Sequence, residues 1–354
     1  MIILFILCFA LGLWKIKRRP EGASPLAPAV TTSINGIFVL LVMISHFYQY
    51  AGGYLTSELD MLYKSARDIL GQGVVATFLF FSGYGMMEQI QKKKRAYARR
   101  ILLDRLPKVL LHFDIAILLF FLMGLGFGHS ETPLSMLKAL VGWSKLSVGN
   151  SNWFIFTTLC LYVVVFAAFF FYREKPLPCL VATTLLTFGY IFVMVNSENN
   201  ASRFYNTVFC FVFGMWFSYL KEPFNRFVRK NLACYFLCLA LCIGVGVGTY
   251  FLCLDKKGEG YYLLYNLFAL AIAFFFVLLA EKLSFGNPVL LWLGKHTFPV
   301  YILQRIPYIL FREWGLLTFN LPLYFIACVG CTLLLAFLFN RFTEWLDGLI
   351  WRKK

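Results

Sequence analysis

The sequence predicts an all-α, polytopic transmembrane bundle of ten core spans with an extra N-terminal anchor helix. Three observations predict it. Hydrophobic residues make up 60% of the 354 and charged residues only 14%, far from the balance of a soluble domain. Charge-free stretches recur at 146–172, 231–254 and 314–340, and about 20 apolar residues in a helix cross a hydrocarbon core of about 30 Å. The basic residues, which give a formal charge of +16, concentrate in alternate gaps between these stretches.

Each element follows in order. The apolar run 2–14 precedes Lys15, Lys17, Arg18 and Arg19. A signal peptide has its charges before the apolar core, so 1–19 reads as a membrane anchor with its N-terminus outside, the alternative being a segment that lies at the interface. Residues 20–32, rich in Pro, Ala and Ser, form a linker. Spans follow at 34–54, 69–88, 106–128, 151–172, 178–196, 203–220, 232–254, 261–280, 296–312 and 321–340, within a membrane domain of 33–342. Residues 343–354 are a tail at the membrane interface. Gaps of about 25 residues or fewer leave no room for a soluble domain. Long unalternated runs exclude a β-barrel.

Lys15–Arg19, the loop 91–108, the segment 221–230 and the C-terminal tail hold most of the Lys and Arg. The positive-inside rule makes that side cytoplasmic, placing the chain in the cell (plasma or inner) membrane with a cytoplasmic C-terminus. The charge therefore reports topology and does not imply nucleic acid; membrane lipid is the partner. The ten cysteines lie mostly within spans, have no metal-like spacing with histidine, and read as small apolar filler.

Ionisable groups inside a span are expensive and mark candidate sites. His46 lies eleven residues beyond Asn35 in the first span, about 16 Å along a helix, which places it near the bilayer middle. A neutral imidazole can take a hydroxyl proton and pass it on; a packed histidine bonded to a neighbouring helix is the alternative. The loop 91–108 (QKKKRAYARRILLDRLPK) carries eight basic residues against Asp104. It suits a polyanionic ligand such as a coenzyme A nucleotide, or else anionic lipid. Arg305, beside Gln304, needs a partner or a wet cavity within its span. His112 and Asp114 are expected to pair with the basic loop. No Walker glycine loop, zinc-type histidine pair or Gly-x-Ser-x-Gly elbow occurs, so hydrolase and ATPase readings lack support and no metal is implied.

Five segments, in order, carry a family resemblance. They are Ile34–His46, Phe80-Phe-Ser-Gly-Tyr84, Arg99-Arg-Ile-Leu-Leu-Asp-Arg-Leu-Pro107, Asn152-Trp-Phe154 and Leu293-Gly-Lys-His-Thr-Phe-Pro-Val-Tyr-Ile-Leu303. Together they resemble the acyltransferase-3 family of integral membrane acyltransferases over about 33–340. The resemblance implies an O-acyltransferase that moves an acyl group, acetyl as the first expectation, from cytoplasmic acyl-CoA to a hydroxyl of an extracytoplasmic glycan or related small-molecule acceptor. It implies His46 as catalytic base, acting directly or through an acyl-imidazole. It further implies Arg100 and Arg105 as donor contacts; Arg99 and Lys108 are expected beside them, and Asn35, Ser82, Trp153, Gln304 and Arg305 are expected as cavity or acceptor-binding residues. Asn35 stands where the family usually has a basic residue, Gln304 replaces a frequent histidine, and the spacing of the two arginines is stretched. The thioester arm is expected to thread from the basic loop to His46. The alternatives are a polysaccharide or lipid transporter without acyl transfer, and a non-catalytic partner of glycan-assembly machinery.

Overall fold

A computed structural model describes residues 2–150, 152–172, 175–197, 201–255 and 259–351. The described chain is all-α apart from one three-residue strand pair. Eight helical segments are long and apolar enough to cross a membrane. They are carried by α2 (Pro28–Ala51), α4 (Gly73–Lys93, with α3, Glu58–Leu70, leading into it), α6 (Leu106–Gly126, with α5, Ala96–Arg100, before it), α8 (Trp153–Ala168), α9 (Pro176–Val195), α11 (Leu232–Asp255), α12 (Glu259–Lys282) and α17 (Leu321–Ile350).

Two of the expected spans take another form. In α10 (Phe209–Lys230) the second half carries Lys221, Glu222, Arg226, Arg229 and Lys230, so the apolar part is short. The region expected at 296–312 is broken into α14 (Thr297–Leu303) and α15 (Arg305–Glu313), preceded by the short α13 (Pro288–Lys295). The break at Gln304 has a local cause. Pro307 has no N–H to donate to the carbonyl of Leu303 four residues earlier. The short α7 (Pro133–Leu140) and α16 (Leu316–Phe319) lie in connections, and α17 continues unbroken through Ile350.

The N-terminal helix α1 (Ile2–Leu13) has 12 residues, about 18 Å at helical rise. It packs on α2, α3 and α13. After it, β1 (Ile16–Arg18) pairs antiparallel with β2 (Leu283–Phe285), Ile16 opposite Phe285. Arg19 extends this tie: its Nε donates to the Glu281 carbonyl at 3.0 Å. The Glu281 carboxylate, 3% exposed, accepts a fork from Arg229 at 2.8 and 3.1 Å. A buried carboxylate persists only when so paired. The helix begins at Pro28, at a first-turn position that needs no N–H.

Helix association in lipid favours small residues that let backbones meet. A Cβ on Gly83 of α4 would lie 1.9 Å from the Phe211 carbonyl of α10. The Phe-Ser-Gly-Tyr segment therefore serves as a packing surface. On α2, a Cβ at Gly36 would lie 2.1 Å from the Leu290 carbonyl, and one at Gly294 1.8 Å from the Thr32 carbonyl. This contact seats α13, and with it α14 and α15, against α2.

Candidate active site

Two cavities lie toward opposite ends of the bundle. One is on the face bearing the basic loops, here the basic face; the other is near the ends of α2, α8 and α12 that point away from it.

The cavity on the opposite face, about 570 Å³, has His46 in its lining. His46 sits five residues before the end of α2, closer to that face than the bilayer middle expected for it. Two phenols brace the helix just before it: Tyr308 donates to the Met43 carbonyl at 3.0 Å, and Tyr63 of α3 to the Ile44 carbonyl. The imidazole adjoins Gln304 and Arg305 at the break between α14 and α15, and Arg305 lines the cavity. The Nδ1 atom of His46 is buried without a hydrogen-bond partner among the described residues. His112 and His296 differ: they bond Asp347 and the Trp292 carbonyl, at 3.0 and 2.8 Å. A buried imidazole nitrogen left free is costly in a purely structural role.

Arg305 donates from Nη2 to Gln49 at 2.6 Å, and its Nε is buried and unpartnered. Trp153, at the start of α8, lines the same cavity. Its loop is held by Asn152, which donates to the Ser144 carbonyl at 2.6 Å, and by Asn150, which reaches the carbonyls of Tyr301 and Ile302 at 3.3 and 3.2 Å. At Gly71 the chain turns with φ +43°, and a Cβ would meet the Tyr265 hydroxyl at 2.7 Å. That hydroxyl accepts from the Gln72 N–H at 2.7 Å, fixing this wall of the cavity to α12.

The cavity on the basic face, about 420 Å³, is lined by Arg105, Lys108, His112, Lys295, Phe298 and Pro299, among others. Asp347 of α17 pairs with Lys108 at 3.3 Å and with His112 at 3.0 Å. Arg105 and Lys295 have no carboxylate partner among the described residues, and Arg105 lies over the Tyr97 ring at 5.8 Å. The turn at Ile101–Arg105 is a π-helix. Its extra residue per turn reorients Arg105 relative to α5, an irregularity often found at functional sites. Phosphates and a thioester arm would find cations at the rim and an apolar wall of Phe298 and Phe339 beside them.

The two cavities share no lining residue. Tyr301 is 2% exposed, its ring 6.1 Å from His46 and 5.2 Å from Phe154. A single stretch of chain passes both cavities, with Phe298 at one and Arg305 at the other. Seven helical steps, from 298 to 305, cover about 10 Å. The Tyr301 and Phe154 rings therefore lie beside the stretch that runs from one cavity to the other.

A family model described as an acyltransferase domain, acyltransferase 3, matches residues 33–341. The chain belongs to the acyltransferase 3 family. It is thus a polytopic membrane protein of an acyltransferase family, and the match begins just past the linker and ends within α17. No curated protein and no solved structure matches it.

Within this family member the anticipated residues separate. His46, Trp153 and Arg305 line one cavity, and Arg105 and Lys108 the other. Gln304, fully buried, adjoins His46. Arg99 and Arg100 are exposed and line neither cavity, with Arg100 facing Asp104 at 3.8 Å. Asn35 has its Oδ1 buried and unpartnered in the helix below His46, outside both linings, as is Ser82. His112 pairs with α17 rather than within the basic loop, and Asp114 keeps an unpartnered buried oxygen. No group of His, Cys, Asp or Glu able to hold a metal occurs among the described residues, and the described cysteines are free.

Sequence reasoning passed over Lys295, although it lies inside the Leu293–Leu303 segment. It also passed over Arg67, Lys145 and Arg203, whose signal was their presence on the face where basic residues are scarce.

Proposed function

We propose that this protein transfers an acyl group, acetyl first among candidates, from acyl-CoA to a hydroxyl of an extracytoplasmic glycan. The observation that carries the reading is the free Nδ1 of His46 in one cavity, a short helix away from a second cavity where Arg105 and Lys295 have no carboxylate partner among the described residues. The bundle makes ten core passes, with α10 and the broken α13–α15 segment completing the eight apolar helices. The basic face is cytoplasmic by the positive-inside rule, in the plasma or inner membrane.

Acyl-CoA binds with its phosphates at Arg105, Lys108 and Lys295, and charge-assisted contacts of this kind are the stronger hydrogen bonds. Its arm extends along α14 and displaces Tyr301 and Phe154, bringing the thioester to His46. The imidazole takes the proton of the acceptor hydroxyl as the oxygen bonds to the acyl carbonyl carbon. The carbon–sulfur bond then breaks, and the coenzyme A thiolate receives the proton from His46. Gln304 and Arg305 orient the imidazole and donate to the developing oxyanion. Most of the rate enhancement is then positioning, since donor carbon and acceptor oxygen must meet at about 3–3.5 Å.

The test is acyl content of cell-surface glycan, read by mass spectrometry, in cells lacking the protein and supplied with wild type or His46→Ala at equal membrane abundance. Restoration by wild type alone supports the reading. Equal restoration by both overturns it.

A further inference from the structure

The opposite-face cavity has a charge character that acyl transfer to a neutral sugar does not require. Arg67, Lys145, Arg203 and Arg305 all line it. Among the described lining residues, Asp68 is the single carboxylate, and it is already paired with Arg67 at 2.7 Å. Arg305 bonds only the neutral Gln49, and its Nε has no partner. Lys145 and Arg203 are exposed, without a carboxylate partner among the described residues. In a membrane protein whose basic residues otherwise gather on the other face, four cations converging on one recess are a specific investment. Like charges in a partly enclosed site raise its positive potential and concentrate anions there.

Two further features point to a sugar-sized anion. Asn206 is 2% exposed, and its Oδ1 is buried in the cavity wall without a partner, a group suited to a hydroxyl donor. The rings of Tyr261 and Tyr265, 5.5 Å apart and 33° from parallel, offer apolar faces against which a pyranose stacks.

We infer that the acceptor carries a carboxylate or phosphate, held by Arg203 and Lys145 in the positive potential of this recess while its hydroxyl meets His46. This deepens the acyl-transfer reading and rests on it for the role of His46. The anion site itself can be measured without any donor.

The experiment uses the full chain in phosphatidylcholine nanodiscs, with binding of three probes measured in the absence of acyl-CoA. The probes are methyl glucuronoside, glucose 1-phosphate and neutral methyl glucoside. Both charged sugars are expected to bind at least about tenfold tighter than the neutral one, as contacts to charged groups outweigh neutral ones, and to weaken with salt. The tighter of the two identifies carboxylate or phosphate as the natural charge. Arg203→Gln and Lys145→Gln should each weaken the charged probes severalfold and leave the glucoside unchanged. Lys138→Gln, on α7 outside the cavity, should change nothing. Equal binding of charged and neutral probes, no binding of any, or an equal loss in Lys138→Gln would overturn the inference. Anion binding in a protein that never releases coenzyme A would defeat the acyl-transfer reading and leave this one standing.

Discussion

The Tyr301 ring lies 6.1 Å from the imidazole of His46, and its helix reaches the basic-face cavity only two residues earlier, at Pro299. Tyr301, with Phe154 against it at 5.2 Å, is thus proposed to separate the group that acts on the acceptor from the space for the donor. A closed septum keeps water from a thioester until the acceptor is in place.

Removing that ring should uncouple the reaction. Tyr301→Ala is expected to raise coenzyme A release without acceptor several-fold while lowering acyl transfer, and Tyr301→Phe should behave as wild type. A thiol assay on reconstituted protein reads both. Unchanged acceptor-free release in Tyr301→Ala would contradict a sealing role.

The cations on the basic face should divide by position. Arg105→Gln and Lys295→Gln, at the cavity rim, are each expected to raise the KM for acyl-CoA about tenfold, as for a lost charged contact of about 1.5 kcal/mol. Arg99→Gln and Arg100→Gln, exposed and outside it, should change it less than about twofold, in line with the small worth of exposed charge pairs. Donor saturation curves decide the matter, and a larger effect at Arg100 than at Arg105 would reverse the assignment.

Backbone contact between α2 and α13 should be intolerant of bulk. A Cβ at Gly294 would stand 1.8 Å from the Thr32 carbonyl, so Gly294→Val must separate the helices. Overpacking costs typically about 1–3 kcal/mol; thermal unfolding in detergent should shift downward by several degrees, and acyl transfer should fall with it. Wild-type melting would show that this contact does not seat α13–α15.

Glu131 gives a pH signature outside the spans. Partial burial pushes its carboxyl up, but bonds from the Ser135 hydroxyl and the Ser147 N–H, the latter at 2.5 Å, outweigh this and hold it below its ordinary range. A lowered folded value means its stabilisation is present at neutral pH and is lost as pH falls through that value. Amide exchange in 141–150 should be faster in Glu131→Gln than in wild type at pH 7, and the two should converge at acid pH. A constant difference at all pH values would contradict this.

The bundle was legible because apolar length is written directly in the sequence, as at 146–172 and 314–340. The amphipathic α3 was not read, although Ser57 and Asp60 form a capping box at its start that a search for that pattern would find. The break at Gln304 follows from Pro307 and could have been anticipated. The pairing of Ile16 with Phe285 could not, because strand partners 269 residues apart leave no local periodicity. His46 was singled out by the cost of an imidazole in a span together with the family resemblance, and it lines a cavity. Its neighbours on the cavity wall were less visible, because Arg67 in α3 and Lys145 and Arg203 in two connections lie far apart in sequence and only packing brings them together. The septum was hidden for a related reason: Tyr301 and Phe154 are unremarkable aromatics until α8 and α14 meet.

The most direct measurement of the central claim is single-turnover transfer by purified protein reconstituted in liposomes. Labelled acetyl-CoA is supplied on the basic face and a glucuronic-acid oligosaccharide on the other. Wild type should release coenzyme A in step with label appearing on the oligosaccharide, while His46→Gln should lower the rate by about a hundredfold or more, as for a lost general base, with donor binding unchanged. Label transfer by His46→Gln at the wild-type rate would contradict the account.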